Sequence, residues 1–149
     1  MKLAIGADHA GFPLKQAIVA SLPDVAFVDV GTHSTESTDY PDYAVAVAEQ
    51  VLSGAVELGV LVCGTGAGMS MAANKIAGIR AACCSDTYTA RLTRSHNDAN
   101  VLCVGARVVG DGLAIDIVTA FMETSYSGGE RHQRRLDKIA GLEAAGCGV

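Results

Sequence analysis

Leu58-Gly59-Val60-Leu61-Val62-Cys63-Gly64-Thr65-Gly66-Ala67-Gly68 is an apolar run that passes directly into a glycine-rich turn. Six residues without a charge, followed by glycine at every second position, read as a strand covered on both faces and then a sharply curled backbone. Helical periodicity follows over Gly68–Ile76. Strand, tight turn and helix form the unit from which parallel α/β sheets are built. The same alternation extends outward in both directions. Lys2–Gly6, Ala26–Val30, Ile79–Cys83 and Val101–Gly105 are the other strand candidates, giving five with Leu58–Cys63. Leu14, Ala17, Ile18, Ser21 and Leu22 share one helical face, as do Ala44, Val47, Ala48 and Val51, with Pro41 suited to a first turn. Further helices are expected over Asp86–Arg94, Leu113–Met122 and Arg131–Ala144. No repeat or linker interrupts the pattern, and 149 residues suffice for one core. A single doubly wound α/β domain over residues 1–149 is the reading.

In such sheets ligands bind beyond the carboxyl ends of the strands. Asp8-His9 follows the first strand, Cys63–Gly68 the third and Ser85-Asp86 the fourth, so these polar groups are expected at one rim. Composition narrows the ligand. Half of the residues are apolar, 18% are charged and the net charge is −5, which argues against nonspecific nucleic-acid binding. An anionic small molecule stays compatible, because a few placed cations make a local positive site. No apolar run reaches membrane-spanning length, and Asp8 and His9 interrupt the apolar start too early for a signal peptide. A cytoplasmic location is the default expectation.

Five cysteines without CxxC spacing give neither a disulfide framework nor a zinc knuckle. Cys83, Cys84 and Cys103 lie in apolar strand-like runs and are expected to be inert core residues. Cys147 sits in a small-residue tail and carries no signal. Cys63 differs because Gly64, Gly66 and Gly68 follow it. Such a turn can aim several N–H groups at one point, as a phosphate or an oxyanion requires. A tight turn behind a buried cysteine fits the spacing equally well. The turn is not the dinucleotide fingerprint, since Met69 stands where glycine would be needed, and it lacks the G-K-[ST] ending of a P-loop. A free thiol is only a few per cent thiolate at neutral pH, and a helix N-terminus favours the thiolate. A thiolate there can remove an α-proton or attack as a nucleophile; spacing does not choose.

Asp8 suits a ligand hydroxyl or a helix cap, and His9 a phosphate or exposed solvent. Asp42 and Tyr43 read as a first-turn acid and a packing aromatic. His96-Asn97-Asp98-Ala99-Asn100 offers a loop-borne general acid or base, or merely a polar turn. Arg131 and Arg135, four apart, share a helical face and can grip a phosphate, though a solvated basic face has the same pattern. Four of the eleven Lys and Arg residues fall within Glu130–Lys138. Arg107 is a further candidate cation. H-E-x-x-H, Cys/His ligand spacing and G-x-S-x-G are all absent, so neither a metal site nor a serine hydrolase is expected.

Together the blocks Gly6-Ala7-Asp8-His9-Ala10-Gly11, Thr38-Asp39-Tyr40-Pro41-Asp42-Tyr43-Ala44, Cys63–Gly68, Ala72-Ala73-Asn74-Lys75, Gly78-Ile79-Arg80-Ala81, His96–Asn100, Gly105-Ala106-Arg107-Val108-Val109-Gly110 and Arg131-His132-Gln133-Arg134-Arg135 closely resemble the type B ribose-5-phosphate isomerase family. That family also holds galactose-6-phosphate and allose-6-phosphate isomerases. The resemblance implies a Rossmann-like three-layer αβα sandwich with a five-stranded parallel sheet in order 2-1-3-5-4. It also implies a homodimer or dimer of dimers with active sites at the subunit interface. It implies cofactor-free, metal-independent interconversion of ribose 5-phosphate and ribulose 5-phosphate in pentose phosphate metabolism. By the same resemblance Cys63 takes the C2 proton, while Thr65 and the amides of Gly64, Gly66, Ala67 and Gly68 hold the enediolate. His96 opens the furanose ring, Asp8 and Asn97 position hydroxyls, and His9, Arg107, Arg131 and Arg135 bind phosphate. Two departures stand out. Met69 occupies the position where some members carry a glutamate base, so this chain is of the cysteine type. Glu130 adds a residue before the arginine helix. The competing readings are a related hexose- or tetrose-phosphate isomerase, a non-catalytic phosphate-binding module and a redox-sensing thiol protein.

Overall fold

Side chains alternate along a strand, so a sheet buried on both faces sorts its apolar residues into two cores. The computed structural model describes residues 1–145 and shows this arrangement. Strands β1 (Lys2–Ala7), β2 (Ala26–Asp29), β3 (Leu58–Cys63), β4 (Ala81–Cys83) and β5 (Val101–Gly105) form one parallel sheet in the order β2-β1-β3-β5-β4. Helices are α1 (Phe12–Ser21), α2 (Tyr40–Leu52), α3 (Ala67–Ala73), α4 (Thr87–Asn97), α5 (Asp111–Glu123) and α6 (Glu130–Ala144). Leu3, Ile5, Val60, Val62, Leu102 and Val104 face one core with Leu14 and Ile18 of α1, Ala90 of α4 and Ile117 and Phe121 of α5. Ala4, Leu61, Cys63, Val101 and Cys103 face the other, under Val47 and Ala48 of α2 and Met69 and Ala73 of α3. The sandwich and strand order match the expectation from sequence.

Several boundaries move, each for a local reason. The fourth strand begins at Ala81 rather than Ile79. Ile79 turns into the second core, and the Arg80 N–H donates to Asn100 Oδ1 at 2.8 Å instead of joining a ladder. The third helix stops at Ala73, because Asn74 caps it and brackets Ala81 with bonds at 2.8 Å to its carbonyl and from its amide. Asp86 lies outside its helix as the N-cap, accepting from the Thr89 N–H at 2.7 Å, and the helix continues to Asn97. His96 and Asn97 are therefore helical, not loop-borne. Pro41 does sit in the first turn of α2, with Asp42 beside it and Tyr43 packed on the core.

Two burial expectations fail. The buried face of α1 is Leu14, Lys15 and Ile18, whereas Ser21 is exposed. Lys15 is fully buried because Asp29 and two carbonyls receive its ammonium: Nζ donates to Asp29 Oδ2 at 2.7 Å and to the Thr32 carbonyl at 2.8 Å. A buried ammonium without such partners would be prohibitive. Cys84 and Cys103 are core residues, but Cys83 is exposed, since β4 is the sheet edge and its last residue reaches the rim. Cys147 lies outside the described residues. No described helix is long and apolar enough to cross a membrane.

Candidate active site

The parallel topology brings the ends of β1, β3 and β5 to one edge, and the residues after them form a cavity of about 310 Å³. Its lining includes Asp8, His9, Tyr40, Cys63, Thr65 and Arg107. Cys63 closes β3 and is only 5% exposed. Gly66 adopts φ +80°, the left-handed conformation that favours glycine, and its N–H donates to Cys63 Sγ at 3.1 Å. Thr65 Oγ1 accepts weakly from the Ala67 N–H at 3.4 Å. The N–H groups of Gly64 and Thr65 have no protein acceptor among the described residues. The turn therefore places one donor on the thiol and leaves others for a ligand, as an anion nest requires.

Neighbouring elements fix that turn. The Ala106 N–H donates to the Cys63 carbonyl at 2.8 Å and the Arg107 N–H to the Gly64 carbonyl at 3.0 Å. This sets the Arg107 guanidinium over Gly64, its carbon 3.7 Å from where a Cβ would stand. On the other side, Asp8 Oδ1 accepts from the Gly11 N–H at 2.9 Å. Gly11 itself passes so close to β3 that a Cβ would lie 2.2 Å from the Val62 carbonyl oxygen. His9 Nδ1 accepts from the Thr38 N–H at 3.2 Å. A backbone N–H can only donate, so the ring proton sits on Nε2, which stays a hydrogen-bond donor. Thr38 precedes Tyr40, whose ring lies over Gly68.

The remaining candidates lie elsewhere. His96 and Asn97 end α4, which runs back against the strands and leads through Asn100 to the start of β5. Asn100 accepts from the Gly59 N–H at the start of β3, whereas Cys63 ends that strand. Four residues of strand, about 13 Å, separate the two levels. There the His96 ring stacks on His132 with centroids 4.2 Å apart and planes 13° apart. Arg131 Nε donates to His132 Nε2 at 3.4 Å, and Arg131 and Arg135 are both exposed on the first turns of α6. Burial, then His96, Arg131 and Arg135, hold the His132 imidazole below its ordinary pKa. The polar motif thus divides by role. Asp98 and Asn100 build the turn: Asp98 accepts from Arg80 at 2.8 Å and Arg94 at 2.7 Å, stabilising its left-handed φ of 44°, and Asn100 donates to the Gly78 carbonyl. His96 and Asn97 are left at the surface of that end. Asn97 also borders a second, apolar hollow of about 410 Å³ with Ile79, Ile139 and Leu142.

Within the chain the structure therefore joins Asp8, His9, Cys63, Gly64, Thr65, Gly68 and Arg107, with Gly66 and Ala67 in the same turn. It does not join them to His96, Asn97, Arg131 or Arg135. Ser85 and Asp86 border neither cavity. Met69 is fully buried in the core. Glu130 begins α6 as a first-turn acid. Sequence reasoning gave no role to Tyr40, Cys83 or His132. The aromatic beside Pro41 and the histidine between two arginines were the signals available for two of them. Burial pushes the Cys83 and Cys103 thiols up, and with Cys83 and Asp86 it pushes Cys84 up to about 12. Among the described residues no three His, Cys, Asp or Glu side chains converge as a metal ligand set.

Residues 3–139 match the family model described as Ribose/Galactose Isomerase. The chain is 54% identical to ribose-5-phosphate isomerase B of Escherichia coli K12, over 95% of this chain and 96% of that one. It superposes on ribose-5-phosphate isomerase B of Clostridium thermocellum with a TM-score of 0.94 at 49% identity, covering 97% and 99% of the two chains. The corresponding enzyme of Mycoplasma genitalium, solved with bound ribulose 5-phosphate, gives 0.89 at 43% identity, with 96% of each chain covered. The chain belongs to the ribose/galactose isomerase family, in its ribose-5-phosphate isomerase B branch, and is an isomerase.

Proposed function

We propose that the chain interconverts D-ribose 5-phosphate and D-ribulose 5-phosphate without a metal. Each active site would be built from the Cys63 cavity of one protomer and the His96 cluster of its partner. The observation that carries the reading is the Cys63 sulfur, held by the Gly66 N–H at 3.1 Å in a cavity that also holds His9 and Arg107. A cavity near 310 Å³ lies at the small end of the ligand range of about 300–1,000 Å³ and suits a pentose phosphate.

The chemistry follows from what each group can do. His96 carries the anomeric C1 hydroxyl proton to the ring oxygen as the bond between C1 and that oxygen breaks, opening the furanose and exposing the C1 aldehyde. Cys63 thiolate takes the proton from C2, the electron pair moves into a C1–C2 double bond, and negative charge collects on the former carbonyl oxygen. The free amides of Gly64 and Thr65 are suited to that charge as it develops, which lowers the barrier more than equal binding of the sugar would. The Cys63 thiol then returns the proton to C1 while the C2 hydroxyl proton passes to the anionic C1 oxygen, leaving the ketose. Asp8 and Asn97 align hydroxyls. His9 Nε2–H, Arg107, Arg131 and Arg135 hold the phosphate away from the reacting carbons. A two-protomer site is supported by the distance between the halves in one chain and by the exposed Met71, Ile139 and Leu142.

The test is a panel of aldose phosphates with purified protein in excess EDTA. Ribulose 5-phosphate formed from ribose 5-phosphate at the highest kcat/KM supports the reading. Faster turnover of allose 6-phosphate, or activity only with added metal, would overturn the substrate or the metal-free chemistry respectively.

A further inference from the structure

The scheme above leaves Cys83 without a part. It ends the edge strand β4 on the same sheet face as Cys63 and Cys103, because Cys83 pairs with Cys103 and Leu61, two residues before Cys63, pairs with Cys103 from the other side. Its sulfur stands against the catalytic turn. A Cβ on Gly66 would lie 2.7 Å from Cys83 Sγ and 3.1 Å from the Val104 carbonyl carbon. A Cβ on Gly105 would lie 2.6 Å from the Thr65 carbonyl carbon. The peptide between Thr65 and Gly66 is therefore clasped between the Cys83 sulfur and the β5 backbone.

That peptide has two polar ends. Its carbonyl, from Thr65, accepts from Cys83 Sγ at 3.6 Å; its N–H, from Gly66, donates to Cys63 Sγ at 3.1 Å. A planar peptide fixed at one end is aimed at the other. A donor on the carbonyl also polarises the N–H and strengthens the bond it gives. Partial burial, then the nearby Cys63, push the Cys83 thiol up, so at neutral pH it keeps the proton it donates.

We propose that Cys83 is a positioning residue for proton transfer, its S–H gripping the Thr65 carbonyl so that the Gly66 N–H stays on the Cys63 sulfur. The proposal rests on Cys63 being the catalytic base. The test compares wild type, Cys83→Ala and Cys83→Ser by the rate of Cys63 alkylation with iodoacetamide at pH 7.5, followed by peptide mapping, and by kcat and KM. A thiolate with a loosened donor is less populated, so Cys83→Ala should slow Cys63 alkylation and lower kcat by about fivefold each, with KM within about twofold. Serine can donate to the same carbonyl, so Cys83→Ser should recover most of both. A merely structural role moves alkylation the other way, because a looser turn exposes the buried Cys63. Alkylation in Cys83→Ala as fast as wild type or faster, or a Cys83→Ser variant no better than Cys83→Ala, overturns the proposal. If wild type turned over no sugar phosphate, the isomerase reading would fail, while the alkylation rates would still decide the grip.

Discussion

At the carboxyl end of the sheet, Cys63, Asp8 and His9 each accept a backbone N–H, from Gly66, Gly11 and Thr38. At the opposite end, Arg131 and Arg135 extend from the first turns of α6, and among the described residues neither has a carboxylate within ion-pair reach. The first region is held in place by the backbone, as proton transfer requires of groups that must meet a carbon at a defined angle. The second presents charges without a counter-ion among the described residues, an arrangement that suits the proposed phosphate grip. The nearby Asp98 cannot quench them, because Arg80 and Arg94 already occupy its carboxylate. The proposed site would draw on both of these differently built ends, which lie apart in one chain.

The largest break in this comparison is Cys63→Ala. Removing a positioned base costs about 10²–10⁴ in kcat, and buried Met69 offers no replacement. A variant that keeps its fold by circular dichroism and still turns over within tenfold of wild type would move the base elsewhere. Next comes the Arg131→Ala, Arg135→Ala double variant, expected to raise KM by about 10²-fold with a smaller change in kcat, since charge-assisted bonds to phosphate are lost. A kcat loss with unchanged KM would place these arginines in the chemistry instead. The smallest effect concerns His132. Its folded-state pKa is lowered, so the unfolded chain takes up a proton that the folded one resists as pH falls past about 6.5. That part of the stability is complete above this pH and is lost below it. The melting temperature of wild type should therefore fall further between pH 8 and 5.5 than that of His132→Gln. Parallel curves would remove His132 from the account.

Periodicity and apolar runs were enough to read the sheet, its helices and the rim that holds Cys63, because burial on both faces leaves a continuous signal. What was not legible depended on contacts distant in sequence. Lys15 stood outside the helical face read from sequence, and it is buried because Asp29 and the Thr32 carbonyl supply partners from β2 and the loop after it. Cys83 looked like core because its neighbours are apolar, and only the strand order made β4 an edge. His96 through Asn100 read as one polar cluster, but the left-handed turn at Asp98 divides it into a structural half and a surface half. The resemblance to known isomerases grouped Cys63 with His96 and the arginines across a subunit interface, and in a single chain they lie apart.

That separation makes subunit complementation the most direct test. Cys63→Ala and His96→Asn proteins, each inactive alone, are mixed in equal amounts, dissociated and reassembled, and assayed with ribose 5-phosphate. If each site takes Cys63 from one protomer and His96 from its partner, half of the dimers are mixed and each keeps one intact site of two, restoring about a quarter of wild-type activity. Recovery near zero after confirmed subunit exchange would contradict the shared site.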